Sequence, residues 1–127
     1  MQFLYVRAQA LDEGVSYVEL GPEALMIERC LGRSVEFQNV HGSTTRLYKA
    51  LESATSLAIL HISAHGSIEG IALEGTRGGP SDLMTAEHLK HAILRRTPRL
   101  LVLAACQSMS LGQEIARMGL VPHVIAS

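Results

Sequence analysis

A chain of 127 residues, 47% hydrophobic and 18% charged, is long enough for one small domain with its own core and needs no disulfide staples. Its formal net charge of -1, with Lys and Arg scattered and only Arg95 and Arg96 adjacent, excludes the basic stripe of a nucleic-acid binder. Met1-Gln2-Phe3-Leu4 has neither a basic flank nor a long apolar run, so no signal peptide and no membrane span is expected.

In chain order, Phe3 to Ala10 is apolar and strand-like, and a loop with Gly14 and Gly21-Pro22 follows. Pro22 suits a first helical turn, and Met26, Ile27, Cys30 and Leu31 recur at helical spacing before Gly32 stops the segment. That stripe assigns Cys30 to the core. Val35 to Val40 alternates as a second strand. Ser43 or Thr44 can cap a helix to about Ser53, with Leu47, Ala50 and Leu51 inward. Leu57 to Ser63 is a nearly continuous apolar strand of the kind buried on both faces. Gly66 and Gly70 bracket a loop, Gly70 to Glu74 suits one arm of a small hairpin, and Gly75 to Pro80 is again loop. Thr85 caps a helix from Ala86 to about Arg95. Leu100 to Ala105 is a fourth, buried strand, Leu111 to Met118 a short helix stopped by Gly119, and Val121 to Ala126 a fifth strand.

Strands alternating with helices imply an α/β fold with a mostly parallel sheet covered on both faces, and such sheets place ligands beyond the carboxyl ends of their strands. Strand three runs out into Ala64-His65-Gly66, and strand four into Ala105-Cys106-Gln107-Ser108. If those strands are neighbours, a thiol and an imidazole share one crevice. The thiolate is the nucleophilic form of cysteine, and an adjacent imidazole or a helix N-terminus favours it. Gly66 and Cys106 can offer backbone N–H groups to an oxyanion, since glycine permits close approach.

The stretches LAILHISAHGSIEGIALEG (residues 57–75) and LMTAEHLKHAILRRTPRLLVLAACQSMSLGQEIARMGLVPHVIAS (residues 83–127) resemble the CHAT family, caspase-like proteases within the wider caspase, metacaspase and separase group. His-Gly after one buried strand, then Cys and Ser after the next, carry the likeness; the first half matches in element order alone. The resemblance implies a caspase-like three-layer sandwich, with residues 1–127 as a large-subunit-like catalytic portion whose C-terminal part is missing. It implies a cysteine endopeptidase acting on protein or peptide substrates, with His65 as general base and acid, Cys106 as nucleophile, and Gly66 and Cys106 as oxyanion donors. No cofactor and no metal are implied. The expected partners are a C-terminal segment or second chain that completes the fold and a sensor or regulatory protein. Regulated proteolysis, such as bacterial immunity or cell death, is the implied setting.

Caspases place Gln, and metacaspases Asp, two residues before the cysteine. Here Ala104 stands there, so neither P1 preference carries over. Glu69, Glu74 and Asp82, beyond His65, are acids that could reach a basic P1 side chain.

Rival chemistries fare worse. A cysteine phosphatase needs Arg six residues after its nucleophile, where Gly112 stands, and no nucleophile elbow, Cys-x-x-Cys or phosphate loop occurs. His61 and His65 on one strand would lie roughly 13 Å apart, too far for one ion. His88 and His91, with Glu87, lack further ligands nearby and fit a solvated helix face. Two cysteines without metal or disulfide spacing suit a reducing, cytoplasmic setting. The non-enzyme alternative is a catalytically idle caspase-like scaffold for binding or dimerisation, and the intact His-Cys pair argues against it.

Overall fold

The computed structural model describes residues 1–8, 21–32, 35–73 and 82–126, without the side chains of residues 21–24, His41 and Asp82. Strands β1 (Gln2–Arg7), β2 (Glu36–His41), β3 (Leu57–Ser63), β7 (Leu100–Ala104) and β8 (His123–Ala126) form a five-stranded sheet in the order β2-β1-β3-β7-β8, every pair parallel. Helices α1 (Gly21–Cys30), α2 (Thr44–Ser53), α3 (Ala86–Arg95) and α4 (Met109–Arg117) occupy the crossovers. Between β3 and α3, β4 (His65–Ser67), β5 (Gly70–Leu73) and β6 (Asp82–Met84) make a small antiparallel sheet.

Strand periodicity sorts the side chains. Leu4, Val6, Leu60, Ile62, Leu101 and Leu103 pack with Leu47 and Leu51 of α2, Leu89 and Ile93 of α3, and Leu111 and Ile115 of α4. Fully burying a side chain of this size contributes about 1.5–3 kcal/mol, so this face dominates stability. On the opposite face Phe3 and Tyr5 pack with Phe37, Ile59, Ile27 of α1 and Leu31 just after that helix. Helices on both faces make a three-layer α/β sandwich.

Local chemistry sets the helix ends. Ser43 accepts a hydrogen bond from the Arg46 N–H at 3.2 Å and so caps α2. Thr85 caps α3 through the His88 N–H, while His88 Nδ1 accepts the Thr85 N–H in return, both at 3.4 Å. His88 is thus a capping side chain on the exposed helix face expected for it.

Three expectations need correction. Cys30 is exposed, as is Met26, because this segment rests on Ile27 of α1 and on Leu31 just past its end, one residue round from the expected stripe. The loop expected between Gly66 and Gly70 is strand β4 and a tight turn, with β6 completing the sheet; these strands are three residues long and gain order from non-local pairing. The fourth strand is buried only in alternation: Leu101 and Leu103 are buried, Leu100 and Val102 half-buried, and Ala104 exposed. Residues 9–20 and 74–81, including the Ala10 end of the first predicted strand and the Gly75–Pro80 loop, lie outside the described residues.

Candidate active site

The parallel pairing of β3 with β7 sets Ser63 opposite Ala104 in the last registered row. Two residues further along each chain come His65 and Cys106. Neighbouring strands run about 4.8 Å apart, so both continuations leave the sheet side by side. They stay together beyond it: the Ala64 N–H donates to the Ala104 carbonyl at 3.3 Å. A methyl group built on Gly66 would fall 2.2 Å from the Cys106 carbonyl oxygen and 3.0 Å from Cβ of Ala105. Main chain rests on main chain there, and only glycine leaves the room.

The two candidate catalytic side chains differ in setting. Cys106 is exposed, as a nucleophile that meets a polymer must be. His65 is half-buried, and its Nε2 atom is buried without a hydrogen-bond partner. Buried polar atoms in folded proteins are nearly always paired, so such an atom calls for an explanation, and a catalytic role is among the standard ones. His61, in contrast, belongs to the fold. It sits 5.1 Å from the Tyr5 ring and 6.1 Å from the Phe3 ring, and its Nε2 bonds with Ser63 Oγ at 3.2 Å.

Two residues that the sequence placed at the strand end without a role, Gln107 and Ser108, shape the cysteine loop. Gln107, with φ of 57°, is the sole non-glycine residue of positive φ among the described residues, and it directly follows Cys106. Ser108 is 1% exposed, and its hydroxyl donates to the Leu103 carbonyl at 3.1 Å. Ser63 and Ser108 are the two buried polar residues among those described, and each lies two positions from a candidate catalytic residue. Arg7 ends β1 opposite Ser63, with its Nε buried and unpaired. An Arg directly after the apolar run Phe3-Leu4-Tyr5-Val6 was the available signal for it.

Of the acids expected to flank the site, Glu69 lines a cavity of about 170 Å³ with Ile68, Glu87, Leu111 and Glu114. Glu74 lies outside the described residues. Asp82 belongs to β6.

The CHAT domain family model matches residues 17–127. The chain belongs to the CHAT family. CHAT domains are a caspase-like, protease-related family, and the parallel five-stranded sheet between helices is the architecture that kinship calls for. The match spans β3, the small sheet and β7, and so includes both His65 and Cys106 of this CHAT domain. No curated protein matches the chain. Among the described residues, no helix is long and apolar enough to cross a membrane.

Proposed function

We propose that this CHAT domain is a cysteine endopeptidase that hydrolyses peptide bonds through Cys106 and His65. The observation that carries the reading is the close main-chain approach of Gly66 to Cys106, which holds the two strand ends together. The unpaired buried Nε2 of His65 supports it, because a base awaiting its reaction partner has that form.

The chemistry runs as acyl transfer. His65 takes the Cys106 proton, and the Sγ thiolate attacks the scissile carbonyl carbon. The carbonyl oxygen gains the negative charge and is held by the N–H groups of Gly66 and Cys106. The intermediate collapses to a thioester as His65 gives its proton to the leaving amine. Water, deprotonated by His65, then attacks the thioester, releasing the new carboxylate and restoring the thiol.

The substrate is a protein or peptide. A C-terminal segment or second chain completes the sheet beyond β8, and a sensor or regulatory protein governs the enzyme in regulated proteolysis, in a cytoplasmic setting that keeps the thiol reduced. Ile125 of β8 is 57% exposed, which supports a covering element on that strand.

The test is substitution at both positions. Cys106→Ala abolishes hydrolysis yet leaves stability within about 0.5 kcal/mol, since an exposed side chain is removed. His65→Ala lowers turnover almost as far and suppresses labelling of Cys106 by a chloromethylketone. Hydrolysis that survives in purified Cys106→Ala protein refutes the assignment. Absence of both labelling and hydrolysis in the native protein would favour the idle scaffold.

A further inference from the structure

Three residues stand immediately before helices in comparable roles, and one of them behaves differently. Ser43 before α2 and Thr85 before α3 have extended backbones, with ψ of 155° and 176°, and turn their hydroxyls onto helical N–H groups. Serine before a helix is favoured for that reason. Ser108 before α4 has helical backbone angles, φ of -84° and ψ of 0°, and makes no side-chain capping bond. Its hydroxyl points the other way, into the protein, and donates to the Leu103 carbonyl at 3.1 Å. The residue therefore gives up the stabilisation it could provide to its own helix.

What it gains is a closed loop. The bond joins the residue before α4 to the body of β7, where Leu103 is 2% exposed and in register with Ile62 of β3. Ala104, Ala105, Cys106 and Gln107 lie inside the ring so formed. Gln107 turns the chain through its left-handed conformation, and Gly66 presses on the Cys106 carbonyl from the β4 side. Cys106 is exposed, so packing of its own side chain cannot hold it in place. The orientation of Sγ has to be set by the backbone on either side, and the Ser108 anchor is a polar tie that spans the loop.

We propose that Ser108 is a positioning residue for Cys106, whose hydroxyl, bonded to the Leu103 carbonyl, fixes the direction in which the nucleophile leaves β7. This rests on Cys106 being the nucleophile. Ser108 touches no reacting atom and acts through the loop it closes. A displacement of about 1 Å at a reacting group costs on the order of a hundred-fold in rate. Loosening an anchored loop is a smaller disturbance, so a loss of roughly ten-fold or more is expected in kcat, with KM little changed because substrate contacts are untouched.

The experiment compares native protein with Ser108→Ala and Ser108→Thr, using a peptide that the native protein cleaves. kcat and KM are measured separately, together with the rate of Cys106 alkylation by iodoacetamide and the thermal midpoint. The expected result is a fall of about ten-fold or more in kcat and a slower alkylation for Ser108→Ala, at a KM within about two-fold of native. Threonine, which keeps the hydroxyl, restores most of the rate. A Ser108→Ala protein with native kcat overturns the proposal. So does one that fails to fold, or loses kcat only in step with its folded fraction, because the hydroxyl then serves stability alone. Native protein that neither cleaves peptides nor labels at Cys106 sinks the protease reading itself, whereas a fully active Ser108→Ala sinks only the role given to Ser108.

Discussion

Gly66→Ala tests whether the contact between the His65 and Cys106 segments is what holds the site together. The added methyl would lie 2.2 Å from the Cys106 carbonyl oxygen, against about 3.3 Å for the closest ordinary carbon–oxygen contacts. The obstacle is backbone, so no rotamer change relieves it, and one chain must retreat by roughly 1 Å. Forcing excess volume into a packed site costs about 1–3 kcal/mol. For a domain of this size each kcal/mol lowers the midpoint by about 4 °C, so a fall of about 4–12 °C is expected. The same retreat separates imidazole from thiol and should lower peptide turnover by on the order of a hundred-fold. Differential scanning fluorimetry and a fluorogenic peptide assay read the two effects together. Gly119→Ala is the control: its φ of 68° imposes strain of about 1–2 kcal/mol, yet nothing lies within 4 Å of the new methyl, so stability falls while turnover stands. A Gly66→Ala protein with native midpoint and native turnover would refute the reasoning.

Gln107→Val should cost about 1–2 kcal/mol, because a β-branched residue tolerates the left-handed region poorly, whereas Gln107→Gly should melt with or above the native protein; equal midpoints for the two variants would remove the argument from backbone strain. Leu60→Ala, in the middle of the sheet and fully buried, should lose about 2–5 kcal/mol by urea denaturation, and a loss under 1 kcal/mol would mean that this face is not the principal core. In a P1 peptide library, Asp should not dominate, since Ala104 offers the site no charge. A profile led by Asp would overturn that inference and turn attention to Arg7, whose Nε is buried and unpaired in the same strand-end row.

The sheet was legible because its central strands are written plainly. Leu57–Ser63 and Leu100–Ala104 are apolar runs too short for helices, and Ser43 and Thr85 announce α2 and α3 by their capping chemistry. His65 and Cys106 stood out because each follows such a run. Pattern failed where order comes from partners distant in sequence. His65–Ser67 has no strand periodicity of its own and is a strand only because it pairs with Gly70–Ala72. Cys30 was assigned to the core since residues 26, 27, 30 and 31 make a broad apolar stripe, of which the sheet covers only one side. Nothing in the letters Cys-Gln-Ser reveals that Gln107 is left-handed or that Ser108 forsakes its helix, because both follow from how the loop closes on Leu103.

The pairing of β3 with β7 also has a kinetic meaning. β3 and β7 are separated in sequence by the small sheet and α3, both of which involve more local contacts than the parallel pair itself. Contacts between segments distant along the chain form late, since the intervening loop must first be closed. A refolding chain can therefore carry β4, β5 and α3 while His65 and Cys106 remain strangers. The return of His65-dependent thiol reactivity at Cys106 would then time the docking of β7 onto β3, and could be followed second by second with the same alkylating probe.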